Sequence, residues 1–448
     1  MMLEGMKILS FVHGLYGGSA SQILADLGAE VVRVEWDMTG RIRPGSVLDG
    51  ENGLFFQMTG RNQKSISFNP QSPEGIDILH RLLQDYDIVL DNSPPGLLEG
   101  WGIQYDELLR SHKQLIWCIC TADGSGYCQN PDDELLMEAK SGLASLNGPG
   151  SKPPVPAGAA LIEQHAAVLI ACLLYTSSGP KVRKPGQDLL IQGMSGLAAL
   201  AGPGDHPPMP TGTALVDQHG AILAALGITA AVYDRDKTGK GHRIEASLLG
   251  SALDLQIEPI GYYLNGGTLT PRADTGLSTR IHQSPYGIYK TADKYITLSL
   301  TSFENLEQAF TPGALEGFSA KDQMDNRIEF DKVVCRELLK RTTNEWELIF
   351  EELGIWYAPV NEYEDVVKDE QVVYNQCFMT MNHPVAGEVK VLGHANRYDG
   401  QPVPLRRLPP ELGENTIELL KEAGYSDSQI QEMMKQGKAV SPEKKQDK

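Results

Sequence analysis

Asp217 opens a long apolar stretch, DQHGAILAALGITAAVY (217–233), and follows the small residues of TGTAL (211–215). A carboxylate at the head of a buried helix meets free backbone N–H groups, which are expected to stabilise its ionised form and keep its pKa low. An oriented, ionised carboxylate among small residues that admit a ligand is suited to nucleophilic attack. The same position suits a plain helix N-cap, and residue types alone leave both readings open. His219 reads as a packed or solvated neighbour, and His242, beside a turn, carries no signal.

The surrounding segment occurs twice. SGLASLNGPGSKPPVPAGAALIEQHAAVL (141–169) matches SGLAALAGPGDHPPMPTGTALVDQHGAIL (195–223) without a gap, and the first copy places Glu163 where the second has Asp217. Each copy reads as a short helix, a Gly/Pro-rich loop, an extended segment and an acid opening an apolar helix. Glu is one methylene longer, which moves an attacking oxygen by about 1.5 Å and spoils an aligned attack. The second copy is therefore expected to form the site, with the first an insertion on the large domain and Glu163 structural or an N-cap.

A second cluster lies near the N-terminus. Gly14, Gly17 and Gly18 stand between a strand-like MKILSFV (6–12) and a helix-like SASQILADLG (19–28), and Glu35 ends the next strand, EVVRVE (30–35). That layout allows a phosphate-cradling loop, a nicotinamide site with Glu35 on the ribose, or simply a tight strand-to-helix turn; the spacing is not GxGxxG.

The elements that would position these residues alternate. A helical SPEGIDILHRLLQDY (72–86) and strands DIVLDN (87–92) and LIWCIC (115–120) follow a polar loop. Continuously apolar strands separated by helices predict a doubly wound α/β fold with a parallel sheet. Further on, 238–267 reads as a turn, a strand and one long helix, 285–300 as a hairpin turning near Ala292-Asp293-Lys294, 303–353 as helices and 386–393 as strand. An amphipathic helix is expected from Glu414, before a disordered tail. The expected domains are 1–235 (large domain, with duplicated blocks 125–178 and 179–233), a linker 236–259, a smaller α+β domain 260–370, and the rest of the large domain at 371–448.

Composition narrows the function classes. The 448 residues carry 39 basic and 58 acidic side chains, a net charge of -19, which argues against nucleic acid as a partner. Six cysteines without CxxC pairs form neither a disulfide framework nor a zinc site, so no metal and a cytoplasmic location are expected. The N-terminus lacks the basic start and long apolar run of a secretory signal, and no membrane partner is expected.

Nine strings in order carry a resemblance: LADLGAEVVRVE (24–35), NQKSISFNPQSPEG (62–75), VLDNSPPGLLEGWG (89–102), PGQDLLIQGMSGLAALAG (185–202), TGTALVDQHGAILAALGI (211–228), TGKGHRIEASLLGSALDL (238–255), PYGIYKTAD (285–293), APVNEYEDVVKDEQV (358–372) and HPVAGEVKVLG (383–393). The chain resembles the class III (CaiB/BaiF-like) CoA-transferases, which include formyl-CoA transferase and the carnitine CoA-transferases and are related to α-methylacyl-CoA racemase. The resemblance implies a Rossmann-like large domain built from both chain ends, a smaller domain, and ring-like protomers interlocked as a homodimer. It implies an acyl-CoA and a small carboxylic acid as substrates, and Asp217 as the nucleophile that forms a mixed anhydride and then an aspartyl-CoA thioester.

CoA contacts of the family fall on His13, Leu15, Tyr16, Phe68, Gln71, Asn92, Ser93, Pro94 and Gln187, many through backbone. Two positions where relatives often carry arginine for the CoA phosphates hold Trp36 and Gly100, which shifts that role to Arg41, Arg43, Lys64 or Lys184. The racemase branch pairs the equivalent Asp with a His where this chain has Gln187, which favours transfer. A weakly catalytic partner subunit of a hetero-oligomer is the alternative that Trp36 and Gly100 allow.

Overall fold

The computed structural model describes residues 1–12, 14–36, 54–93, 97–121, 187–384 and 387–442. His13, Arg41, Arg43, Pro94, Glu163 and Lys184 lie outside the described residues, as does the first copy of the duplicated segment.

The chain divides into two compact units: Met1–Ile191 with Leu215–Ser251 and Gln376–Lys448, and Gln192–Ala214 with Ala252–Asn375. The first is built on strands β1 (Lys7–Phe11), β2 (Glu30–Glu35), β3 (Gln63–Phe68), β4 (Ile88–Asp91), β5 (Ile116–Thr121) and β6 (Arg243–Ser247). They lie in the order β3-β2-β1-β4-β5-β6, all parallel, and the C-terminal strand Ala439–Val440 closes the β3 edge antiparallel. The fold is mixed α/β around a large, mostly parallel sheet.

Helices α1 (Gly14–Asp26), α2 (Leu54–Thr59), α3 (Pro73–Asp85), α4 (Leu97–Gly100), α5 (Tyr105–Ser111), α6 (Asp188–Met194) and α7 (Leu215–Thr238) accompany these strands. Period-two alternation sends Leu9 and Phe11 to a core shared with Ile78, Leu79 and Leu82 of α3, and with Leu419 and Met433 near the C-terminus. Ser10 points to the other face, where its hydroxyl meets that of Ser21 on α1 at 2.8 Å. Helix α3 starts as its sequence dictates, with Ser72 accepting from the Gly75 N–H and a proline in the first turn. Helix α7 has the length and apolarity of a membrane span, yet half of its most apolar window is buried within this protein.

Strand β3 was not foreseen, because QKSISF lacks an apolar run. Its polar residues are buried and bonded: Ser65 Oγ donates to Glu35 Oε2 (2.5 Å), the Ser65 N–H to Asn415 Oδ1 (3.1 Å) and the Ser67 N–H to Thr416 Oγ1 (3.0 Å).

The second unit holds the antiparallel sheet β7 (Gly287–Lys290), β8 (Tyr295–Ser299) and β9 (Trp356–Pro359), with Phe330, Leu338, Trp346 and Phe350 in its core. The hairpin pairs Lys290 with Tyr295, so its turn lies where the sequence predicted. The long helix expected after β6 is two helices, Leu248–Asp254 and Ile257–Leu264. Gln256 explains the break: its side-chain amide donates to the Ala252 carbonyl (2.7 Å), the acceptor its own N–H would use, and that N–H turns to Leu253 (3.0 Å).

Candidate active site

Helix α1 begins at Gly14, so Gly17 and Gly18 occupy its first turns instead of a loop before it. A Cβ on Gly17 would come within 2.6 Å of Val12 Cβ and 2.8 Å of Asn92 Nδ2, and one on Gly18 within 3.1 Å of Thr59 Oγ1. These glycines let the helix approach the ends of β1 and β4, which supports the tight-turn reading. Glu35 is buried on Ser65. A ribose partner would need that carboxylate accessible, so the nicotinamide reading loses its acid.

Asp217 is the third residue of α7 and only 7% exposed. Its N–H donates to Asp188 Oδ2 at 2.9 Å, so a residue that sequence reasoning had passed over satisfies one of the free amides at the helix start. Asp188 was visible in the string PGQDLLIQ, but nothing in its spacing said that it reaches Asp217. Tyr16 is buried beside them, with its hydroxyl donating to the Ala246 carbonyl at 3.1 Å. Gly220, one turn beyond Asp217, is needed for this packing: a Cβ there would lie 3.0 Å from the Tyr16 ring and 3.1 Å from Ser251 Oγ. Burial above all, and the neighbouring Cys120 and Cys118 thiols, hold the Tyr16 phenol far above its usual pKa, and therefore neutral.

The electrostatics of Asp217 reverse the sequence expectation. Burial, and secondarily the charge of Asp188, push its pKa up to about 7. A helix terminus contributes only about 0.3–1 kcal/mol to a carboxylate, less than the roughly 4 kcal/mol that this rise represents. Its Oδ1 has no hydrogen-bond partner among the described residues. The carboxylate is thus buried and more basic than an ordinary aspartate.

A rate step that uses ionised Asp217 should follow that titration. With a pKa of about 7, about a tenth of the groups are ionised at pH 6 and about nine tenths at pH 8, so kcat/KM should rise about tenfold over that interval. A flat profile between those limits would exclude Asp217 ionisation from the rate law.

The other expected site residues spread along the carboxyl ends of the strands. Leu15 is half-buried in the first turn of α1. Asn92 and Ser93 follow β4 and are buried, and the Ser93 N–H donates to Asp91 Oδ1 at 2.7 Å while its hydroxyl reaches the Phe11 carbonyl at 3.3 Å. Burial pushes the Asp91 carboxyl up to about 6 against that hydrogen bond. Gln71 is exposed after β3, its N–H held by Asn69 Oδ1, and Gln187 is exposed immediately before α6. Phe68 is fully buried, with its side chain in the core and its backbone opposite Ala439 in the sheet.

Lys64 does not fit the role of a CoA cation. It lies at the amino end of β3, bound to Glu30 (3.1 Å) and Glu418 (2.9 Å), at the opposite edge of the sheet from Asn92 and Tyr16. His242 pairs with Asp234 at 2.8 Å, and His219 is half-buried. Trp36 follows β2, and Gly100 ends α4 with open space where a Cβ would stand.

The family model described as CoA-transferase family III matches residues 3–173 and 164–416. The chain belongs to CoA-transferase family III. The two matched stretches overlap over residues 164–173, at the end of the first copy of the duplicated segment. Among relatives, the mouse succinyl-CoA:glutarate CoA-transferase is 27% identical over 452 residues, spanning 97% of this chain and 89% of its own length. The cinnamoyl-CoA:phenyllactate CoA-transferase of Clostridium sporogenes is 24% identical and covers 97% and 96% of the two chains. The crystal structure of a CAIB/BAIF family protein from Brucella suis superposes with a TM-score of 0.70 at 20% identity, over 94% of this chain and 98% of that one. This family III member is thus an enzyme of the CoA-transferase type, with CoA thioesters as substrates.

Proposed function

We propose that the enzyme moves CoA from an acyl-CoA to a small carboxylic acid through Asp217. The ionised carboxylate attacks the thioester carbonyl, giving a mixed aspartyl anhydride and expelling CoA thiolate. The thiolate attacks the aspartyl carbonyl, releasing the donor acid and leaving an aspartyl-CoA thioester. The acceptor carboxylate then attacks that thioester to form a second mixed anhydride, and the thiolate, attacking its acyl carbon, releases the new acyl-CoA and restores Asp217. Every step exchanges one acyl bond for another, so no oxidant or hydride donor enters the balance.

The observation that supports this reading most is a buried carboxylate at the head of α7 with one oxygen that has no hydrogen-bond partner among the described residues. Incubation with a panel of acyl-CoAs, beginning with succinyl-CoA and with glutarate as acceptor, tests it by mass spectrometry. A CoA adduct on the peptide containing Asp217 is expected, and an adduct on any other residue sinks the assignment. Running the same incubation in deuterium oxide separates the racemase reading. Gln187 cannot act as a proton donor or acceptor at neutral pH, so no deuterium should enter the α-carbon of a 2-methylacyl-CoA.

CoA phosphate contacts are proposed near the ends of β1, β3 and β4, where the described cation Lys64 does not reach. Gly100→Arg should therefore restore a favourable partner in the open space at α4. CoA binding should tighten about five- to tenfold, as expected for a charge-assisted contact of about 1 kcal/mol. An unchanged Kd by calorimetry would remove Gly100 from the CoA site.

A homodimer of ring-like protomers, with the large domain formed from both chain ends, is proposed on the same resemblance. Ile222, Leu226 and Tyr233 support burial against a second copy: each is more than half exposed along α7. Light scattering should find a dimer that persists at about 1 μM. A folded monomer there would contradict interlocking, and a second, different chain in the purified complex would favour the hetero-oligomer.

A further inference from the structure

We infer that the amino edge of the large sheet carries a binding site for a diphosphate group, separate from the Asp217 site. A cavity of about 280 Å³ opens there, walled by the starts of β1, β2 and β3 and by the segment that follows Leu405. Four cations line it, Lys7, Lys64, Arg406 and Arg407, in a chain whose net charge is -19. Lys64 faces two carboxylates, Glu418 and Glu30, the latter also in the cavity lining, so this group keeps one surplus negative charge, part of which Arg407 offsets through Glu418. Lys7, Arg406 and Arg407 have no salt bridge to any described carboxylate; Lys7 lies over the Tyr86 ring at 5.9 Å. Glu4, the next acid towards Arg406, is taken by the Met1 ammonium at 2.9 Å. Lys7, Arg406 and Arg407 outnumber that one surplus carboxylate, so the local balance is positive.

The backbone that carries both arginines is held in place before any ligand arrives, while the residues themselves are exposed. The backbone N–H groups of Arg406 and Arg407 donate to Asn62 Oδ1 (2.7 and 3.0 Å), and the Asn62 N–H donates to the Arg407 carbonyl (3.0 Å). Asn62 is itself buried in the left-handed region (φ 62°) and anchored through Nδ2 to Asp26 Oδ1 at 2.7 Å. One Arg406 guanidinium nitrogen donates to the Ala25 carbonyl. Such preorganisation lowers the ordering cost of binding.

Two adjacent guanidinium forks with a lysine ammonium suit several oxygens of a multiply charged phosphate better than one carboxylate. The lining residues include no aromatic side chain for a base to stack on, so the recognised group is the diphosphate itself, free or carried by a nucleotide. Asp217 belongs to the carboxyl edge, about one strand length away, roughly 15–20 Å.

Calorimetry of the full chain with inorganic diphosphate, in saturating CoA to fill the CoA site, tests this. Saturable binding is expected, weakened at least about tenfold in the double variant Lys7→Gln/Arg407→Gln and weakened by added salt. The CoA-transfer rate of that variant should stay within about twofold of wild type, since neither residue is in the catalytic machinery. A parallel ADP titration distinguishes the sources: equal affinity identifies the free anion and tighter binding a nucleotide, and either supports the site when the double variant abolishes the gain. No saturable binding below roughly 10 mM, or an unchanged Kd in the double variant, overturns the inference.

Discussion

Asp217→Asn should lower CoA transfer by at least about three orders of magnitude, because an amide cannot form the anhydride on which every later step of the proposed mechanism depends. The variant should fold normally, since Asn matches Asp in shape and its backbone N–H keeps the bond to Asp188. It should also be the more stable protein at high pH. Folding raises the carboxyl pKa to about 7, so the folded chain holds a proton that the unfolded chain releases near pH 4. Wild-type stability consequently falls as pH rises from about 4 to 7 and levels off above, whereas the amide has no such loss. Denaturation at pH 8 should show the variant ahead by a few kcal/mol, and near pH 4 the difference should vanish. Transfer within about tenfold of wild type would remove Asp217 from the chemistry.

Arg61→Met should destabilise the protein by about 3–5 kcal/mol, because it leaves the buried Asp26 carboxylate without its countercharge. Arg61 is 2% exposed, and its Nη2 lies 2.6 Å from Asp26 Oδ2, with Nε at 3.1 and 3.2 Å from the two oxygens. A fourth contact, Nη1 to the Leu392 carbonyl at 2.8 Å, ties α1 to the hairpin of Phe378–His383 with Gly387–Leu392. Asp26 ends α1, the helix whose first turn faces Asp217 through Tyr16, so the pair braces the site from its far end. Urea unfolding should show a lower midpoint at unchanged slope. Adding Asp26→Asn should recover part of the loss, since the orphaned charge goes with it. A single-variant loss below about 1 kcal/mol would show that Asp26 tolerates isolation.

Patterning made much of the sheet readable. KILSF, EVVRVE and IVLD carry enough Val, Ile, Leu and Phe to read as strands of a covered parallel sheet despite Lys7, Arg33 and Glu35, and the helix at 73–85 has its cap, proline and apolar period in plain view. The antiparallel hairpin of the second unit was legible for a similar reason, an alternating pattern broken by Asp293 and its neighbours. Strand β3 escaped because its polar residues are satisfied by partners hundreds of positions away, Asn415 and Thr416, which no local window contains. Gln256 broke an expected helix through a side-chain bond whose effect the hydrophobic period does not register.

By itself the sequence determined most of the large sheet's strands, the α/β class, the family resemblance and the choice of Asp217 as the acid that opens an apolar helix. Those properties follow from local spacing and residue type. Tertiary structure decided the chemistry of that acid. Burial of its carboxyl and the approach of Asp188 outweigh the helix terminus and lift a pKa expected to be low, because desolvation depends on everything packed around a group. It also decided which cations stand near which edge, placing Lys64 away from the proposed CoA site and gathering Lys7, Arg406 and Arg407 from the two ends of the chain into one cavity. Charges distant in sequence act together only where the fold brings them within a few ångströms, since water and salt screen them beyond about 10 Å.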